Sequence, residues 1–308
     1  MLWKMKNLHN TTTGVFTNRG VWLILAAAVL WGTTGTSQAL APEGSSPAAI
    51  GALRLLLGGS ALAVSAYLRG GLRQHSWPVI LTLATGGFIA LYQLSFFWAV
   101  AKTGVAVGTI VGIGSSPVFA GILEYLVRRR KPGRRWYLST AVAIFGCLLL
   151  VLQSGDVRID SFGILLALVA GFSYASYALG IKMLLPGRSA EDVTAVVFCL
   201  GAFLLSPILF KADLQWLGQI NGWFMMLHLG LIATALSYWL FASGLATVPA
   251  STAVTLSLAE PLTAAILGVL VVGERLNMTA ICGLVLILSA LLLLLLPTGS
   301  GSMAGRRQ

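Results

Sequence analysis

Glu260-Pro261 stands in the middle of a long apolar run, and Arg54, His228 and Glu124 share that kind of setting. An ionisable side chain in hydrocarbon is by default a candidate for work on a substrate or a proton. Pro261 cannot donate a hydrogen bond to the carbonyl of Ser257, so a freed carbonyl beside a carboxyl group is expected at mid-depth. Two readings stay open for Glu260. It is either a substrate-ammonium or proton site, or a structural acid bonded to backbone or hydroxyls. An unpaired charge there costs about 2.5–3.5 kcal/mol on insertion scales, so a paired or protonated carboxyl is expected. Arg54 either meets a substrate carboxylate, pairs with an acid, or snorkels to the outer interface. His228 is either a titrating group or a neutral imidazole held between helices. Glu124 reads as an interfacial residue or a partner of a basic loop.

The aromatic residues form a second set. Trp31, Tyr174 and Tyr177 occupy corresponding stretches of the two halves; Tyr92 and Phe96 lie one turn apart; Tyr238 and Trp239 sit in the counterpart of that stretch. Buried tyrosines need hydrogen-bond partners, and a wet cavity supplies them. Such a lining suits an apolar side chain and, through cation–π attraction, an ammonium group. The alternative is ordinary helix packing with rings. Ser115 and Ser116, next to Pro117, complete the candidate substrate-binding set. Gly104, Gly108 and Gly112 recur every four residues and read as a close-packing surface.

These residues are carried by an unusual chain: 308 residues, 57% hydrophobic, 9% charged, mean hydropathy +0.88. Soluble chains carry about 25% charged residues. The low charge excludes an ordinary cytosolic enzyme, a nucleic-acid-binding domain and a disordered protein. Cys147, Cys199 and Cys282 lie in apolar runs without a disulfide or metal spacing. The apolar run from Gly20 is long and is followed by many like it, so it reads as a retained span rather than a signal peptide.

About 20 apolar residues span a bilayer. Ten such runs are expected, over 20–40, 46–68, 78–101, 105–127, 136–153, 161–184, 192–210, 222–243, 249–272 and 277–297. The fold class is therefore all-α integral membrane. The connections are short and leave no room for a soluble domain. With the N-terminus in the cytoplasm, Lys4, Lys6, Arg19, Arg69, Arg73, Arg128, Arg129, Arg130, Lys131, Arg134, Arg135, Lys182, Arg188, Arg306 and Arg307 face inward. Only Lys102, Arg158, Lys211 and Arg275 face outward, with Arg54 inside a span. The positive-inside rule then places both ends in the cytoplasm. The net charge of +11 becomes a topology signal rather than a nucleic-acid one, and the Arg128–Lys131 run reads as an anchor beside anionic headgroups.

A shift of 144 residues lays spans three and four on spans eight and nine. Thr103, Ala106, Pro117, Ala120, Ile122, Leu123, Leu126 and Val127 then match Thr247, Ala250, Pro261, Ala264, Ile266, Leu267, Leu270 and Val271. A shift of 143 puts Trp31 on Tyr174, and Ile144-x-Gly146 answers Ile281-x-Gly283. The unit is five spans, an odd number, so the copies cross the membrane in opposite senses. Inverted repeats of this kind are a transporter architecture with a site near the midplane. The expected organisation is a tail over 1–19, repeats over 20–153 and 161–297, and a tail over 298–308.

Ten spans in two repeats, Glu260-Pro261, Gly273-Glu274 after it, and Leu30-Trp31-Gly32 in the first span resemble the drug/metabolite transporter superfamily, of EamA type. Within it the chain looks most like YddG-type amino-acid exporters. The resemblance implies export of aromatic and other neutral amino acids across a bacterial inner membrane by alternating access. Ser116-Pro117 stands where the second half has Glu260-Pro261, so a role for the acid is not duplicated.

Exporters of other metabolites or cationic drugs remain as alternatives. A phosphorylated substrate would need more deep cations than Arg54. Few intramembrane acids favour downhill facilitation or exchange over obligatory proton antiport. No paired catalytic groups and no phosphate-loop pattern are apparent, so neither an enzyme nor a cofactor is expected. The partners are a small-molecule substrate and the lipid bilayer, and a monomer holds the whole architecture.

Overall fold

In the computed structural model, described over residues 19–73, 76–152, 160–273 and 275–296, the chain is helical throughout its regular elements. The elements are α1 (Arg19–Ala39), α2 (Pro47–Leu68), α3 (Val79–Gly104), α4 (Val107–Arg128), α5 (Arg134–Leu152), α6 (Ser161–Leu184), α7 (Ala190–Leu209), α8 (Ile220–Leu245), α9 (Ala250–Val272) and α10 (Met278–Leu295). Nine of them, all but α5, are long and apolar enough to cross a membrane. The α5 helix begins with two arginines and runs 19 residues against α10. Lys4, Lys6, Arg158, Glu274, Arg306 and Arg307 lie outside the described residues.

Local sequence sets the helix starts. Ser46 Oγ accepts from the Ala49 N–H at 3.1 Å, with Pro47 at the first helical position. Asp160, Ser189 and Asn277 cap α6, α7 and α10 in the same way, at 2.7, 3.0 and 2.9 Å. Each cap satisfies one of the backbone donors that a helix start leaves open.

Four stretches depart from regular helix. The expected connection after residue 101 is nearly absent: α3 and α4 meet at Gly104 alone, with φ 82° and ψ 162°. That conformation is open to glycine and strained for other residues. His228–Leu236 within α8 and Gly268–Val272 within α9 are π-helical. The α9 helix is also broken at Ser257 and Leu258, between Ala250–Leu256 and Ala259–Leu267.

The helices pack in reciprocal pairs. The α1 helix lies on α8 and α9, and α6 lies on α3 and α4; α2 faces α7, and α5 faces α10. Where α5 and α10 cross, Gly146 and Gly283 stand back to back. A Cβ on Gly146 would meet the Gly283 carbonyl oxygen at 2.7 Å, and one on Gly283 would meet that of Gly146 at 2.6 Å.

One end of the bundle is basic. Arg69 pairs with Glu191 at 3.2 Å, and Ser65 also bonds Glu191. Arg135 donates to the Leu296 carbonyl at 3.0 Å, and Arg188 bonds the Ser76 carbonyl and covers the Trp77 ring. These contacts register the ends of α2, α7, α5 and α10 with one another.

Because both obstacles at the α5–α10 crossing are backbone atoms, they cannot rotate away. Gly146→Val should lower the free energy of unfolding in detergent by about 1–3 kcal/mol, the usual cost of overpacking, read as an earlier thermal transition. Gly133→Val, at a position with nothing within 4 Å of its added Cβ, is the control and should leave the transition in place.

Candidate functional site

The centre of the bundle is an aromatic cluster drawn from α1, α3, α6, α7 and α8. Trp31 lies 4.7 Å from Tyr238, 5.2 Å from Phe241 and 6.2 Å from Tyr174, ring centre to ring centre. Tyr174 also meets Tyr92 at 5.4 Å, Phe241 at 6.1 Å and Tyr177 at 6.3 Å. Tyr92 continues to Phe96 at 5.8 Å. Phe198 closes the group, 4.7 Å from Tyr238 and 6.0 Å from Tyr177. Tilted and edge-on pairs dominate, as the ring quadrupole favours.

Several polar atoms in this cluster are unsatisfied. Trp31 Nε1 and the hydroxyls of Tyr174 and Tyr177 are buried and make no hydrogen bond among the described residues. Buried polar groups are normally paired; unpaired ones also occur at Glu124, Trp136, Ser139 and Arg188, so what sets these three apart is their place among closely spaced rings.

The charged candidates lie at its margins. Arg54 is buried, and its guanidinium does not snorkel. Nε donates to Thr234 Oγ1 at 2.9 Å and Nη2 to the Ala233 carbonyl at 3.1 Å, both in the π-helical part of α8. Glu260 begins the second half of α9. Its backbone N–H donates to the Ser257 carbonyl at 2.9 Å. That carbonyl is therefore not left free by Pro261: the chain tightens into a turn instead. Residue Glu260 is half-buried, and a Cβ on Gly32, next to Trp31, would meet its carbonyl oxygen at 2.9 Å.

The remaining candidates stand elsewhere. His228 Nε2 contacts Thr33 Oγ1 at 2.8 Å; the Thr33 hydroxyl donates to the Leu30 carbonyl at 2.6 Å, so Nε2 carries the proton of that contact. It ties α1 to α8. Ser115 and Ser116 bond the Gly112 carbonyl of their own helix at 3.2 and 2.8 Å, and Ser115 packs against Gly171 of α6. Trp239 is 37% exposed and points away from the cluster. Phe241, one turn beyond Tyr238 on the same face, takes the place beside Trp31, and Phe198 joins from α7. The 3.6-residue period could have found Phe241; Phe198 carries no such signal.

Toward the basic end the cluster is sealed. Tyr177, Ile181, Phe241, Leu245, Val254 and Leu256 are fully buried. Lys182 donates to the Leu245 and Val248 carbonyls at 2.6 and 2.7 Å, and Glu124 Oε2 accepts from the Ser251 N–H at 2.9 Å. The lysine thus occupies the carbonyl end of α8 and the carboxylate the amide end of α9, each the favourable pole for its charge. Away from the basic end the packing is looser: Tyr92, Phe96 and Glu260 are half-buried, as are Thr33, Thr34 and Leu262, and Gly35 is exposed. Among the described residues no group of His, Cys, Asp and Glu could hold a metal ion.

Among the described residues the expected wet cavity does not appear at this level: the rings of Trp31, Tyr174, Tyr177 and Tyr238 are buried against one another in a packed cluster. The chain belongs to the EamA-like transporter family, whose model matches residues 18–152 and again 161–296. It is 46% identical over 271 residues to "Uncharacterized transporter YwfM" of Bacillus subtilis (strain 168), covering 88% of this chain and 92% of that protein. It is 25% identical over 289 residues to "Uncharacterized inner membrane transporter YicL" of Salmonella typhimurium, covering 90% and 95%. A solved crystal structure superposes with a TM-score of 0.78 at 16% identity, covering 89% of this chain and 95% of the other, a likeness of fold alone. This is a multi-pass membrane transporter.

An unpartnered buried hydroxyl costs about 1–3 kcal/mol. Tyr177→Phe should therefore keep or raise the thermal stability of the ligand-free protein, while Glu124→Ala, which strips the Ser251 amide of its acceptor, should lower it. Parallel melts in one detergent give the comparison.

Proposed function

We propose that the chain exports aromatic and other neutral amino acids across the inner membrane, in the manner of YddG-type exporters, by alternating access at a chamber that opens at the aromatic cluster. The observation that carries this reading is the cluster of Trp31, Tyr174 and Tyr177, with three unpaired polar atoms among closely spaced rings. Ring faces accept an apolar or aromatic side chain, and the unpaired N–H and hydroxyls accept its polar backbone.

The two halves are read as inverted five-helix repeats, with α5 as the tenth span. Support comes from the reciprocal packing of α1 on α8–α9 and α6 on α3–α4, and from Gly146 meeting Gly283. Those two glycines are equivalent in the sequence alignment of the halves, and equivalent residues touch where a pseudo-twofold axis passes. With both termini cytoplasmic, the sealed basic end is the cytoplasmic end, and the looser end faces outward. Exchange of the closed end is then the transport step, through release of Lys182 and Glu124 from the α8–α9 turn. No ATP-binding element enters this scheme, and the monomer contains it whole.

Purified protein in liposomes should move labelled phenylalanine, tryptophan, methionine or threonine down a gradient. Trp31→Ala and Tyr174→Ala should each slow the initial rate by about tenfold, the equivalent of about 1.4 kcal/mol, with the protein still folded. Wild-type liposomes no leakier to these amino acids than empty ones would sink the reading. In intact cells, a cysteine placed at Arg130 should react with membrane-impermeant thiol reagents only after permeabilisation.

A further inference from the structure

Arg54 and Glu260 can carry opposite charges beside the aromatic cluster, yet among the described residues they form no ion pair of the kind that joins Arg69 to Glu191 at the basic end. Arg54 spends Nε and Nη2 on the π-helical stretch of α8 and has no bond at Nη1. The Glu260 side chain makes no hydrogen bond, although its backbone N–H is engaged. Thr234, which Arg54 grips, lies one turn before Tyr238 on α8, and a Cβ on Gly32, next to Trp31, would meet the Glu260 carbonyl oxygen at 2.9 Å, so the two groups approach the aromatic cluster from different helices. Leaving both charges unpaired in a low-dielectric site is costly. A ligand carrying the complementary charges relieves both at once.

We infer that the chamber is polarised to hold a zwitterion, with Arg54 receiving the carboxylate and Glu260 the ammonium group. This assignment rests on the amino-acid reading above and adds to it which residue meets which end. The rings of Trp31 and Tyr174 then face the side chain. Arg54 reaches the site from α2 while gripping α8, and Glu260 reaches it from α9 just after the broken turn. A bound zwitterion links three helices, and a ligand with only one charged end leaves the other pole unmatched. The chamber thereby discriminates by charge pattern before it discriminates by side chain. A lone amine, which a cationic-drug exporter would favour, leaves Arg54 uncompensated; a lone acid leaves Glu260 uncompensated.

The test is binding of three molecules of like size to the purified full chain: phenylalanine, phenethylamine, which lacks the carboxylate, and 3-phenylpropionate, which lacks the ammonium group. Isothermal titration at neutral pH gives the affinities. Wild-type protein should bind phenylalanine at least about tenfold more tightly than either analogue, because a charge-assisted bond is lost in each. Glu260→Gln should weaken phenylalanine and phenethylamine by about tenfold or more while leaving 3-phenylpropionate unchanged or tighter. Glu260 makes no side-chain bond within the fold, so this variant should keep its thermal transition. Arg54→Lys should weaken the two carboxylate ligands and spare phenethylamine, and serves as the second variant.

The assignment is overturned if an analogue with one charge binds as tightly as phenylalanine, or if Glu260→Gln weakens all three ligands equally. In those cases the aromatic chamber still binds amphipathic molecules, and the transport reading survives. If none of the three binds and none is transported, that reading and this assignment fall together.

Discussion

Hydrocarbon offers no hydrogen bond to a backbone group that leaves its helical ladder, and that constraint organises this bundle. The Ala233 carbonyl, in the π-helical part of α8, accepts from Arg54 and from Ser237 Oγ at 2.8 Å. The start of α9 is met by Glu124, and the end of α8 by Lys182. The break in α9 closes on itself through Glu260 and Ser257, whose hydroxyl also donates to the Val254 carbonyl at 2.7 Å. The repairs to α8 and α9 come from α2, α4 and α6. Irregular backbone in the second half thus fixes where α2 and α4 of the first half, and α6 of its own half, must stand.

Against that background the aromatic cluster holds three of the buried polar atoms without a partner, at Trp31, Tyr174 and Tyr177; others stand outside it, at Glu124, Trp136 and Arg188 among them. Lack of a partner alone therefore does not mark a ligand site; its coincidence with closely spaced rings is what distinguishes the centre. Glu124 and Glu260 differ in degree: Glu124 caps a helix through Oε2 while its Oε1 stays unpaired, and the Glu260 side chain makes no hydrogen bond among the described residues. His228 is engaged with Thr33, unlike the three unpaired groups at the centre.

Much of the helical layout is written in apolar runs and basic loops, because crossing a bilayer demands length and excludes charge. The runs match helices to within a few residues, and the aromatic residues at 31, 92, 96, 174, 177 and 238 meet because helical spacing and the repeat put them at one level. What the residues do not announce is backbone irregularity. Gly104 replaces an expected loop, and a run such as 228–236 looks like any apolar helix. Trp239 and Tyr238 are equally aromatic in the sequence, and only the 3.6-residue period singles out Tyr238 with Phe241; the Arg54 contact with Ala233 and Thr234 has no signal at all. Partners 180 positions apart are chosen by packing, and a single sequence records no packing. The Ser257 carbonyl is a milder case: proline does remove its usual donor, but a tighter turn supplies another.

The π-helical stretch of α8 has a further consequence. A wider turn amounts to one surplus residue carried inside an otherwise regular helix, much as a dislocation is a surplus half-plane in a crystal. Such a defect can move along the rod one bond at a time without the whole ladder opening. Its passage shifts one side of the helix against the other by one residue, a rise of about 1.5 Å and a rotation of about 100°. In α8, passage of the defect beyond Ser237 would turn Tyr238 and Phe241 off the face that meets the central cluster. Arg54, fastened to Ala233 and Thr234, pins the defect in place.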